Sequence, residues 1–241
     1  MKLLVIAAGY ATRLYPLTKD TPKALLPVGG QPMLDRVLEA LAGVAADETY
    51  VVTNARFARQ FAEWSEGHPG VQVLNDGTTS DEDKLGAIGD IAFVLDEAQV
   101  DDDLVVVGGD NLFSGDLAGF GRYIRELNEP VLALYDVGDL AEMSKYNAIE
   151  TDADGRITFF EEKPAAPTST LTGIALYFYP RRTLPLIRQY VAEGNNPDQP
   201  GRLIQWLYPR VDVYTWRVPG TWYDVGSAET LREADEVFSR S

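Results

Sequence analysis

Short apolar runs at residues 3–7, 48–53, 71–74 and 104–108 alternate with segments of helical apolar spacing at 33–42, 55–66 and 87–97. Runs this short and this rich in apolar and β-branched residues suit strands buried on both faces. Strands that alternate with helices run parallel, because each helix carries the chain back across the sheet. The order therefore predicts an α/β fold, a Rossmann-like, doubly wound, mostly parallel sheet with helices on both faces. Beyond residue 130 the pattern changes. Runs at 131–137, 147–150, 156–160, 174–179 and 211–218 read as strands joined by turns such as Asp152-Ala153-Asp154-Gly155, and helices at 183–193, 202–208 and 228–238 close the chain. This second half is read as continuing the same sheet, which becomes mixed. No repeat, low-complexity tract or linker interrupts the 241 residues, so one domain with two lobes is expected, about 1–130 and about 131–241.

Composition removes several chemistries. Cysteine is absent, which excludes disulfides, thiolate nucleophiles and zinc-thiolate sites. The single histidine, His68, lies in the turn signal Gly67-His68-Pro69-Gly70, so a Ser-His-Asp triad is not expected. Catalysis then falls to carboxylates, lysines, arginines and a hard cation. The 37 acidic residues outnumber the 21 basic ones and give a net charge of −16, which argues against a nucleic-acid partner. No apolar run is long enough to span a bilayer, and Met1 to Ile6 reads as a buried first strand rather than a signal peptide. A cytoplasmic protein without a membrane partner is expected, and a homo-oligomer is left open.

The strongest local signal follows the first run: Ala7-Ala8-Gly9-Tyr10-Ala11-Thr12-Arg13, then Thr21-Pro22-Lys23-Ala24-Leu25. Small residues at 7 to 9 let backbone N–H groups approach an anion closely. Arg13 is suited to fork onto phosphate oxygens, and Lys23 adds a second positive charge from a proline-braced loop. The loop is neither a Walker A sequence nor a dinucleotide G-x-G-x-x-G. A second signal is the strand Leu104-Val105-Val106-Val107-Gly108, which delivers Asp110 at its C-terminal end, where ligands bind in open α/β sheets.

From Gly9 through Pro32 the chain resembles the sugar-1-phosphate nucleotidyltransferases, including glucose-1-phosphate thymidylyl- and uridylyltransferases. Their signature is G-x-G-T-R-x-x-P-x-T followed by P-K-x-L-x-P-V-x-x-x-P, and Ala11 replaces its second glycine. Further blocks follow in order. Gly109-Asp110-Asn111-Leu112-Phe113 is similar to G-D-x-x-F, Glu161-Glu162-Lys163-Pro164 to E-E-K-P, and Trp222-Tyr223-Asp224-Val225-Gly226-Ser227 to W-x-D-x-G-T/S. Lys145-Tyr146-Asn147 stands where the family commonly has Tyr-Gly, and Lys84-Leu85-Gly86-Ala87-Ile88-Gly89-Asp90 where it has an L-G-T-A-like helix start that, with the first loop's backbone, reads the nucleobase.

The resemblance implies a fold of the nucleotide-diphospho-sugar transferase type. It implies a nucleotide held by Ala7, Ala8, Gly9, Ala11, Thr12, Arg13 and Gly86, and Mg²⁺ as cofactor on Asp110 and Asp224. Arg13, Lys23 and Lys163 become the catalytic cations, with Lys163 on the acceptor's phosphate. Tyr146, Asn147, Glu162 and Gly173 line the acceptor, Glu162 accepting from its hydroxyls, while Trp222 and Tyr223 pack the pocket wall. The expected partners are an NTP and a phosphorylated small molecule. dTTP or UTP is favoured by Gly-Asp-Asn-Leu-Phe, and CTP stays open. An ionised acceptor phosphate needs no general base, so direct in-line attack on the α-phosphate without a covalent enzyme intermediate is expected. Two alternatives stand beside this reading: a cytidylyltransferase for a phosphorylated amino alcohol or polyol, to which Asn147 points, and a non-catalytic nucleotide-binding paralogue. No acyltransferase-type hexapeptide repeat follows the catalytic blocks, so a second activity is not expected.

Overall fold

A computed structural model describes residues 1–239. The chain runs β1 (Lys2–Ile6), β2 (Pro27–Val28), β3 (Gln31–Pro32), α1 (Met33–Leu41), β4 (Glu48–Thr53), α2 (Ala58–Ser65), β5 (Val71–Asn75) and α3 (Ala87–Glu97). It continues with β6 (Leu104–Gly108), β7 (Asn111–Phe113), α4 (Ala118–Leu127), β8 (Val131–Asp136), β9 (Asn147–Thr151), β10 (Ile157–Glu162) and β11 (Leu171–Tyr179). It closes with α5 (Leu184–Ala192), α6 (Pro200–Leu207), β12 (Tyr214–Arg217), β13 (Trp222–Asp224) and α7 (Ala228–Phe238).

Seven strands form the central sheet in the order β12-β8-β11-β6-β1-β4-β5. β1 pairs in parallel with β4 and β6, β4 with β5, and β12 with β8; β11 alone is antiparallel to both of its neighbours. Side chains alternate across each strand, so one sheet feeds two cores. Leu3, Val5, Val105 and Val107 face α1, α2, α4 and α7 through Leu34, Phe61, Phe120 and Phe238. Leu4, Val52, Val106 and Tyr177 face α3, α5 and α6 through Ile91, Ile187 and Ile204. The doubly wound, mostly parallel sheet expected from the sequence is present.

The second half departs from expectation in one respect. β9 and β10 do not join the central sheet; they form a separate antiparallel pair, with Glu162 opposite Asn147. α4 was not foreseen, because Gly119 and Gly121 dilute its helical pattern. The C-terminal helix is fixed at both ends. Ser227 and Thr230 form a reciprocal capping box, and Asp235 accepts from the Gly29 N–H at 2.8 Å. That clasp holds the segment bearing Asp224 against the first third of the chain.

Candidate active site

β1, β4 and β6 end together along one edge of the sheet, at Ile6, Thr53 and Gly108. The loops that follow therefore share one cleft, as open parallel sheets dictate. After β1 the backbone turns through Ala11 at φ +48 into a 3₁₀ turn at Thr12–Leu14. Thr18 Oγ1 donates to the Ala11 carbonyl at 2.7 Å and braces this conformation. Alanine stands where the resembling family has glycine, in a region that costs an L-residue about 1–2 kcal/mol. The consequence of that exchange lies in the backbone.

Lys23, in a second 3₁₀ turn, reaches across to Asp110, its Nζ 2.5 Å from Oδ2. A short antiparallel pairing of β7 with β13 sets Asp224 opposite Asn111, and so beside Asp110. Two acids from distant parts of the chain thereby converge. Trp222 Nε1 donates to Asn111 Oδ1 at 2.8 Å, and Asn111 Nδ2 donates to Asp110 Oδ1 at 2.8 Å, so the carboxylate is held from the side opposite Lys23. Gly108 makes this possible, since a Cβ there would lie 2.5 Å from Asn111 Nδ2. Burial pushes the Asp110 carboxyl up, but Lys23 and the donated hydrogen bonds outweigh it and hold it below the ordinary carboxylate value. Confinement in the cleft and then the Asp110 charge push Asp224 up to about 6, against the pull of Lys23 and Arg13.

This junction joins two cavities, both bordered by Lys23, Asp110 and Asp224. One, of about 440 Å³, is walled by Ala8, Gly9, Ala11, Thr12, Arg13 and Gly86. All were expected at the nucleotide. Arg13 has no ion pair or hydrogen bond among the described residues, so its guanidinium is available to a ligand. The other cavity, of about 410 Å³, is walled by Tyr146, Asn147, Glu162, Gly173 and Trp222, the first four of them expected at the acceptor; Ala7, expected at the nucleotide, lines this cavity instead. Glu162 Oε2 is buried with no partner, and burial raises its carboxyl pKa against Lys163 and Arg202.

Lys163 is not on either wall. It follows β10 at φ +52, its N–H donating to the Tyr146 carbonyl at 2.8 Å, with its side chain exposed. Lys145 lines the cavity of about 410 Å³ instead, paired with Glu142 at 2.5 Å. Asp198, which the sequence reading passed over, and Asp90, which it quoted only as the end of the 84–90 segment, line the cavity of about 440 Å³. Asp198 belongs to the loop before α6, and Lys84 Nζ ties it to Asp81, 3.2 Å from each carboxylate. Gly86 permits this closure: at φ +78, a Cβ would lie 2.7 Å from the Asp198 Cα. No periodicity marks such a contact, since it depends on how the second half folds over the first.

The family model described as "Nucleotidyl transferase" matches residues 2–240. The chain belongs to the nucleotidyl transferase family. It is 24% identical to "Bifunctional protein GlmU" of Methanocaldococcus jannaschii over 99% of this chain and 54% of that protein. It is 29% identical to "UTP--glucose-1-phosphate uridylyltransferase AglF" of Haloferax volcanii over 74% of this chain and 72% of that one. The chain thus spans about half the length of the GlmU protein it matches. Its fold is similar to that of a UDP-glucose pyrophosphorylase solved with UDP-glucose, with a TM-score of 0.81 at 22% identity over 99% of this chain and 98% of that one. Among the described residues no helix is long and apolar enough to cross a membrane.

Proposed function

We propose that this nucleotidyl transferase moves a nucleoside monophosphate from UTP or dTTP to a sugar 1-phosphate, releasing pyrophosphate and a nucleotide sugar, with Mg²⁺ as cofactor. One observation carries the reading: Lys23, Asp110 and Asp224 stand together where two cavities meet, one walled by the Arg13 loop and one ending at Glu162. Such a junction is where an α-phosphate and an attacking phosphate oxygen have to meet.

The donor set suits Mg²⁺. Asp110 and Asp224 are hard oxygen donors, and among the described residues no group of three or more acids or histidines converges as a full protein cage would require. Mg²⁺ commonly takes one or two carboxylates and completes its shell with water and substrate phosphates. When bound, the cation would neutralise charge on those phosphates. The chain's own residues do the rest. Arg13 and the Gly9–Thr12 backbone hold the triphosphate, and Lys23 offsets charge at the reacting centre. Glu162 accepts from acceptor hydroxyls, and Lys163, next to it in the chain with an exposed side chain, is the cation for the acceptor's phosphate. An acceptor phosphate oxygen forms a bond to the α-phosphorus as the bridge to the β-phosphate breaks, and that electron pair leaves with pyrophosphate. The attacking oxygen carries no proton to remove.

Asn147 does not favour the cytidylyltransferase alternative, because its amide is spent on the Gly173 backbone. The clustering of Arg13, Lys23, Asp110 and Asp224 supports an enzyme over a silent paralogue. The direct test is pyrophosphate release from four NTPs against a panel of phosphorylated sugars, polyols and amino alcohols. Release with no sugar 1-phosphate in the panel would overturn the proposal.

A further inference from the structure

The loop after β1 presents donors that nothing in the protein uses. The backbone N–H groups of Ala11, Thr12 and Arg13 meet no acceptor among the described residues, and Ala11 borders both cavities. Ala11 is left-handed, at φ +48 and ψ +41, and Thr12–Leu14 form the 3₁₀ turn behind it. A left-handed residue followed by right-handed ones turns successive N–H groups toward one side, which makes a concavity for an anion. That concavity lasts only while Ala11 keeps its left-handed backbone. Alanine pays a penalty in that region, whereas glycine enters it freely. Something else has to hold it there.

Thr18 is placed to do so. It is fully buried, and the Ala11 carbonyl that accepts its Oγ1–H at 2.7 Å also accepts the Leu14 N–H at 3.0 Å. Two donors therefore clamp the peptide that follows Ala11. Thr18 is itself fixed, because the loop around it is pinned from outside. The Arg56 guanidinium, just before α2, donates to the Tyr15 hydroxyl at 3.4 Å and to the Lys19 carbonyl. Gln60, within α2, donates to the Asp20 carbonyl at 2.7 Å. Support thus runs from α2 through the 15–20 loop and Thr18 to Ala11. An alanine held in this way has less backbone freedom to lose than a glycine, so the exchange at position 11 gives a stiffer loop on condition that Thr18 is present.

We propose that Thr18 is a positioning residue for the nucleotide's phosphates and acts through Ala11: its hydroxyl keeps the N–H groups of residues 11–13 in their binding arrangement, and the need for it comes from the alanine. The inference rests on the nucleotidyltransferase reading above. The test is calorimetric binding of UTP, dTTP, CTP and GTP, with Mg²⁺, to the wild type, Thr18→Val, Thr18→Ser, Ala11→Gly and the double variant Ala11→Gly/Thr18→Val, with circular dichroism as a folding check. For the nucleotide that the wild type binds most tightly, Thr18→Val is expected to weaken binding at least about tenfold, because only molecules with Ala11 left-handed are competent to bind. Thr18→Ser, which keeps the hydroxyl, is expected to stay within about threefold. With glycine at position 11, the same Thr18→Val change is expected to cost at most about threefold, since glycine needs no brace. Wild-type affinity in folded Thr18→Val overturns the proposal. So does an equal loss in both backgrounds, which would make the effect independent of Ala11. If Thr18→Val does not fold, recovery of fold and binding in the double variant supports the proposal, and failure of both overturns it by making Thr18 an ordinary core residue. Either overturning pattern leaves the nucleotidyltransferase reading in place, whereas binding of no NTP by the wild type removes that reading and the inference with it.

Discussion

Asn147 grips the backbone of Gly173 on both sides: its Oδ1 accepts from the Gly173 N–H at 2.7 Å, and its Nδ2 donates to the Gly173 carbonyl at 2.9 Å. The β8–β11 register shifts between Gly173 and Tyr177, so Gly173 sits where the ladder is interrupted. Asn147 does for that peptide what a neighbouring strand would otherwise do, and Thr172 Oγ1 joins at 3.2 Å.

Replacing Asn147, itself buried, with alanine removes both side-chain amide bonds to Gly173 and leaves its carbonyl with the longer 3.3 Å bond from Thr172 Oγ1. Each unmet polar group costs roughly 1–3 kcal/mol. Urea unfolding of Asn147→Ala is expected to show a loss of about 2–4 kcal/mol with an unchanged denaturant slope. An unaltered midpoint would mean that water replaces the amide without cost.

The junction acids should be indispensable to turnover. Asp110→Asn and Asp224→Asn are each expected to lower kcat by at least ~10²-fold, because each removes an anionic oxygen from the cation site. EDTA should abolish wild-type activity, and added Mg²⁺ should restore it. Full activity of either variant would refute the assignment.

The two cavities predict separable kinetics. Arg13→Ala should weaken turnover with every acceptor, through the triphosphate. Glu162→Ala should raise the acceptor's KM and blur the choice among acceptors while leaving the NTP's KM in place. The reverse pattern would exchange the roles of the two cavities.

On the proposed function, Lys163 and Lys145 are the two candidates for the acceptor's phosphate. Lys163→Met is expected to lower kcat/KM by ~10²–10³, the usual loss for one preorganised charged contact. Lys145→Met, whose partner Glu142 already spends its charge, should change it less than about threefold. If Lys145→Met proves the damaging variant, the exposed side chain of Lys163 is a surface feature and the cavity-lining lysine takes its role.

Stability should fall as pH rises, because of Asp90. Its folded pKa is about 8 against an ordinary 3.8. Below pH ~4 both states hold the proton; above it the unfolded chain releases a proton that the folded chain keeps, so unfolding gains until Asp90 ionises near 8. Asp90→Asn removes this term. It is expected to gain roughly 2 kcal/mol or more on wild type at pH 8 and little at pH 4. A pH-independent difference would show that Asp90 ionises freely.

The alternation of apolar runs made the parallel half of the sheet and its cleft edge legible, because burial on both faces leaves a continuous signature in residues 48–53 and 104–108. The site residues of the first loop, Asp110 and Asp224 could be named from local motifs. β9 and β10 read as strands, but nothing in their pattern says which sheet takes them, since an edge pairing is decided by the fold around it. Asp90 closed the quoted 84–90 segment but was given no role of its own, for a similar reason. A carboxylate inside an apolar helix looks like a surface residue until α3 is seen packed with Asp76 beside it. Lys163 fits the E-E-K-P block, yet the left-handed backbone at this residue, which lines neither cavity, has no sequence mark.

The loop before α6 has a consequence for redesign. Asp198 stands on the cavity proposed for the nucleotide, while Pro200 and Gly201, two and three residues on, stand on the one proposed for the acceptor. The same stretch is pinned by Lys84 and by the Ile88–Pro197 hydrogen bond. A change at Pro200 or Gly201 that widens the acceptor cavity displaces Asp198 and its neighbours with it. On the proposed function, tolerance for new sugars and choice of nucleotide are thus mechanically linked traits, and neither can be bred alone through this loop.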